Sequence, residues 1–150
     1  MNPPELPDNW PFRPLSDPCV AAAVLDLVVR PEDRRAGAVS VVLCDPDDRL
    51  VQPTLVNHRA TSLATDPERH ALLEPVVALL EHRQGSTRFG QRPGGLLMGV
   101  TRADGLSISD DDLQWQRALH AVAEGRVRVL GVHLLTQHGS RPLPPVARAA

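Results

Sequence analysis

Apolar side chains recur along this chain with two periods, and the changes of period mark out its elements. Val20, Val24, Leu27 and Val28 repeat at helical spacing behind Asp17, an N-capping carboxylate, and Pro18, at the favoured first helical position. A helix is therefore predicted from Asp17 to about Arg30. Pro31 to Gly37 reads as a charged connection. Val39 to Cys44 is a β-branched run closed by Asp45-Pro46-Asp47-Asp48, a strand and its turn, and Leu50 to Val56 returns as a second strand to complete a hairpin. Pro53 removes a ladder donor from that strand and places it at an edge or a bulge.

Asn57 to Thr65 is polar. Asp66-Pro67-Glu68 then repeats the N-cap, proline and early-acid start of a helix that carries Leu72, Leu73, Val76, Leu79 and Leu80 on one side. Pro75 falls inside this pattern and predicts a kink or division near Leu73. Glu81 to Gly94 is loop. Gly95 to Thr101, apolar through Leu96, Leu97, Met98 and Val100, predicts a strand central to its sheet. Ser109 caps the next helix, whose positive end suits Asp110, Asp111 and Asp112, and Trp115, Ala118, Leu119 and Val122 repeat as far as Gly125. Val127 to Thr136 is a long strand, Gln137-His138-Gly139 a turn, and Arg141 to Leu143 a short last strand. The order predicts an α/β (α+β) fold, a mixed β-sheet flanked by helices.

The 150 residues suit one domain that buries roughly 70% of its unfolded surface. Residues 1–16 hold five prolines and form a Pro-rich arm, residues 17–144 the globular domain, and residues 145–150 a tail. Trp10 and Phe12 stand out in the arm. Burying each is worth about 2 kcal/mol, so such side chains more often dock on their own domain than bind a partner; with the loop from Arg83 to Gly94 they are the candidate contact elements.

Charge narrows the function classes. Sixteen basic residues against 18 acidic ones give a formal charge of −2, and aromatics are 3% with no Tyr, which argues against nucleic acid as a partner. Every basic residue is Arg, which together with abundant Ala, Pro, Val and Leu resembles the bias of a GC-rich bacterial genome. Cys19 and Cys44 are not in a Cys-x-x-Cys pair and read as two buried small hydrophobes in a reducing compartment. The start, Met1-Asn2-Pro3-Pro4-Glu5, has no basic segment leading into an apolar one, and no run approaches the ~18 residues of a membrane span. The expectation is a cytoplasmic protein.

Candidate chemistry centres on Gly99 to Leu113. Ser109-Asp110-Asp111-Asp112 follows the third strand after a short loop, and this strand, loop and Ser-x-x-Asp resemble the signature of the JAB/MPN metal-dependent hydrolases and their RadC-like bacterial relatives. The likeness extends over roughly residues 18 to 143. Val41-Val42-Leu43-Cys44-Asp45 with Arg49-Leu50-Val51 resembles the family's first hairpin, and Arg126 to His133 resembles a strand that carries a buried Asp-His pair. Gly131 stands near that Asp, and His133 one place beyond the histidine. The resemblance implies a JAB/MPN-like, cytidine-deaminase-like three-layer architecture.

It also implies a zinc site, and there this chain departs from the pattern. The two histidine positions hold Gly99 and Thr101, and the proline position holds Arg102. The region expected to supply a general-base glutamate reads Arg34-Arg35-Ala36-Gly37-Ala38. Of the ligands, Asp112 alone remains, whereas a catalytic zinc of this kind holds three protein ligands and an activated water. None of His58, His70, His82, His120, His133 and His138 has His-x-His or His-Glu-x-x-His spacing. His70 and Glu74, one helical turn apart, more often form a solvated pair than a metal site. Ser107, Ser109 and Cys44 each lack a base at recognisable spacing. Arg34 and Arg35, or Arg126 and Arg128, read as a solvated face rather than a phosphate site. The expected function is thus a catalytically inactive RadC/JAB-like module that binds a protein or small ligand without a cofactor. Its remnant motif is Ser109 and Asp112, and its contact residues are Thr101, Arg102, Asp104, Trp10 and Phe12. The alternative is a metal-dependent hydrolase, isopeptidase- or peptidase-like, that holds zinc through a non-standard ligand set.

Overall fold

A proline at the first helical position opens each of the first two helices in this computed structural model, which describes residues 13–57, 65–83, 93–102 and 105–145. Helix α1 (Pro18–Val28) begins where the Asp17 carboxylate accepts the Cys19 N–H at 3.0 Å, and it buries Val20, Ala21, Ala23, Val24 and Leu25. Helix α2 (Pro31–Ala36) stands where the sequence read as a charged connection. Its Glu32 and Asp33 lie in the first turn and Arg34 and Arg35 in the last, and Gly37 ends it at φ 78°, a left-handed conformation suited to glycine. Six residues are too few to display an apolar period, which is why the pattern concealed it.

Strands β1 (Val39–Cys44) and β2 (Leu50–Asn57) form the predicted hairpin, and Pro53 lies on β2, an edge strand. Helix α3 (Asp66–Arg83) leads to β3 (Gly95–Thr101), α4 (Asp110–Ala123), β4 (Arg128–Thr136) and β5 (Gly139–Pro142). The sheet order is β2-β1-β3-β4-β5. All neighbours are antiparallel except β3 and β4, whose parallel pairing is reached through α4. The result is an α+β fold with a five-stranded mixed sheet flanked by helices.

Side chains of the central strands alternate between two cores. Val39, Val41, Leu43, Leu96, Met98 and Val100 face α3 and α4, meeting Leu73, Val77, Trp115 and Leu119. Val42, Cys44, Leu97 and Leu135 face α1. Every residue of β1 and β3 is buried, as expected of strands covered on both faces.

Further expectations are corrected. Helix α3 runs unbroken through Pro75, which lies on the solvent side, while Leu73, Val76, Val77 and Leu80 anchor both halves to the core. Its buried face includes Arg69 and leaves Leu79 exposed. Cys44 is buried, but Cys19 is exposed on the outer side of α1. The last strand starts at Gly139 rather than Arg141. From the Pro-rich arm, Leu15 is buried against α1 and its N–H donates to the Asp48 carbonyl at 2.7 Å. Trp10 and Phe12 lie outside the described residues. Among the described residues no helix is long and apolar enough to cross a membrane.

Candidate functional site

The parallel pairing of β3 and β4 brings their C-terminal ends side by side, and the Arg102 N–H donates to the Leu135 carbonyl at 3.1 Å as the chain leaves β3. Beyond this point α4 begins with a reciprocal cap. The Ser109 hydroxyl accepts the Asp112 N–H at 3.3 Å, and the Asp112 carboxylate accepts the Ser109 N–H at 2.8 Å. Asp112 is 1% exposed.

A buried carboxylate at that position needs a counter-charge, and Arg102 supplies it. Its guanidinium donates to Asp112 Oδ2, to the Ser109 hydroxyl at 3.1 Å and to the Ser107 carbonyl at 2.8 Å. Arg102, at the position of the proline in the resembled signature, thus ties the strand end to both Ser109 and Asp112. Arg102 and the Ser109 N–H both engage Asp112 Oδ2, so that oxygen can act as a base or a metal ligand only if the Arg102 contact is displaced.

Thr101 is fully buried, and its hydroxyl is spent on the backbone. It accepts the Ala38 N–H at 2.6 Å and lies 3.0 Å from the Asp33 carbonyl and 3.1 Å from that of Ala38, fastening α2 to the end of β3. That geometry makes it part of the scaffold rather than a surface contact. Gly99 is sealed in the α1 core, where an added Cβ would stand 2.6 Å from Leu135 Cδ1 and 3.3 Å from Leu25 Cδ2. The two histidine positions of the resembled signature therefore point into the packing beneath α1 and α2, while Asp112, on α4, is engaged by Arg102 and Ser109. Asp104, like Trp10 and Phe12, lies outside the described residues.

The remaining candidates do not assemble around Asp112. His133 is buried in β4, its Nδ1 has no hydrogen-bond partner, and burial pushes its pKa down to about 4. Cys44 is fully buried, and burial, with Asp48 and Asp45 nearby, pushes its thiol up to about 12, away from the thiolate that a nucleophile needs. Glu74 pairs with Arg126 at 2.7 Å, and that guanidinium holds its carboxyl below the usual range, so Glu74 and His70 are not a pair. Among the described residues no group of three or more His, Cys, Asp and Glu stands where it could hold a metal ion.

The arginines expected on a solvated face are mostly structural cations. Arg126 bridges Glu74 and Glu81, Arg128 meets Asp48 at 2.6 Å, and Arg34 is buried against Asp26 at 2.7 Å. Arg69, unremarked in the sequence, is 3% exposed, pairs with Asp66 at 2.6 Å and lies 5.8 Å from the Trp115 ring centre. Only its i,i+3 spacing to Asp66 was available as a signal. The pairing of Arg102 had none, because it closes across a loop. The chain matches no model of a known protein family, and no curated protein is similar enough to match it.

Proposed function

We propose that this chain is a degenerate JAB/MPN-like domain of the RadC-like kind, a non-catalytic module that binds a protein or small ligand. The observation that carries this reading is the Arg102 guanidinium on Asp112 and Ser109. An arginine always carries its charge, so it neutralises the buried acid permanently, as a bound cation would, but brings no activated water. The strand, loop, capped-helix frame and the preceding hairpin support the family reading. The residues do not fit zinc. Gly99 has no side chain, Thr101 spends its hydroxyl on α2, and Asp112 is already paired.

The test is elemental analysis of protein purified without a metal-affinity tag. The expected result is less than about a tenth of an equivalent of zinc per chain. Near-stoichiometric zinc, lost in Asp112→Ala, would overturn the proposal in favour of a metal-dependent hydrolase.

A further inference from the structure

A cleft of about 410 Å³ opens between α1, α2 and the end of β4, lined by Asp26, Leu27, Val29, Pro31, Gln137 and the three arginines Arg30, Arg34 and Arg35. Gln137, one of the lining residues, immediately follows β4. The cleft is positive in a chain of net charge −2. Among its lining residues three guanidinium groups stand with one carboxylate, Asp26, which is committed to Arg34 at 2.7 Å, and Asp33, outside the lining, is 3.5 Å from Arg30.

The three arginines differ in freedom. Arg34 is 9% exposed and fixed, because its guanidinium also donates to the Asp26 carbonyl at 3.1 Å and the Thr136 carbonyl at 3.2 Å. Arg30 is 72% exposed and makes only a long contact to Asp33 at 3.5 Å. Arg35 has no ion-pair partner among the described residues and is exposed. A buried, fixed cation in the same cleft as two exposed ones is a combination suited to an oxyanion, which arginine binds through paired N–H donors. Leu27 gives the same cleft an apolar lip, with 58% of its surface exposed.

We infer that the α1–α2 cleft is an anion-binding site for a small organic phosphate or carboxylate, held by Arg30, Arg35 and Arg34, with its apolar portion on Leu27. The site shares no residue with the Arg102–Asp112 pair, so the inference stands apart from the proposed loss of metal chemistry. Titration calorimetry at low salt with hexyl phosphate and with hexanoate tests it. Saturable binding of hexyl phosphate alone identifies a phosphate site, and equal binding of hexanoate a general oxyanion site. In either case the double substitution Arg30→Ala/Arg35→Ala, at exposed positions that leave Arg34 in place, weakens binding about tenfold or more with the circular dichroism spectrum unchanged. Arg102→Ala leaves it unaltered. No saturable binding of either probe, or binding that survives the double substitution, would overturn the inference.

Discussion

Arg102 and Asp112, ten residues apart in sequence, meet as a guanidinium and a carboxylate at the N-terminal end of α4, with side chains 27% and 2% exposed. Removing one partner of such a pair leaves a buried charge unmatched. Arg102→Ala should therefore cost about 2–3 kcal/mol of stability, below the range for fully buried pairs because water reaches the arginine. Asp112→Asn should cost less, since an amide oxygen still accepts the Ser109 N–H. Urea denaturation followed by circular dichroism measures both. Equal stability of Arg102→Ala and the parent would mean that the contact contributes nothing.

Gly99 is held to its size by Leu135 and Leu25. Gly99→Ala should destabilise by about 1–2 kcal/mol, the cost of overpacking a filled core, and shortening Leu135 to Val in the same chain should recover part of it. The clash is with the tip of a flexible side chain, so the loss stays moderate. A double-mutant cycle read by thermal unfolding checks the coupling; additive effects would refute the packing assignment.

Thr101 acts through one hydroxyl. Thr101→Val keeps the volume but strands the Ala38 N–H, and a cost of about 1–3 kcal/mol follows from leaving a buried donor unmet. Hydrogen exchange should quicken at Ala38 and along α2, because that hydroxyl also reaches the Asp33 carbonyl. Unchanged exchange at Ala38 would remove Thr101 from that role.

What the sequence revealed depended on how far along the chain each cause acts. The helical repeat at Val20, Val24 and Val28 and the apolar run Leu96 to Val100 are local, and α1 and β3 lie where they predict. The Ser109 cap and its acid three residues later were equally legible, and both make their bonds. Helix α2 was hidden because its residues are charged, and its stability comes from Thr101 and Arg34 reaching β3, α1 and β4. Pro75 was misleading because the rule on helix breaking is local, whereas Leu73 and Val77, buried on either side of it, are fixed by tertiary packing. Arg34 defied the expectation of a solvated face for the same reason, and Arg69 went unremarked for it. An arginine is buried only when distant partners arrive, and no pattern in one sequence places them.

His133 gives the domain a pH dependence whose sign follows from burial. Its imidazole is 4% exposed, and burial lowers its pKa to about 4 from an ordinary value near 6.5. Between those values the unfolded chain binds a proton that the folded one refuses. Stability from this group is thus complete above about pH 6.5 and is lost as pH falls through that window, by about 3 kcal/mol at its lower end. Replacing His133 with Phe, which keeps the ring and removes the titration, should flatten that part of the profile even if it shifts overall stability. Denaturant midpoints measured from pH 7 down to pH 4 on both chains decide the matter. Parallel profiles would mean that His133 is not the group responsible, and a parent profile that rose as pH fell would reverse the sign.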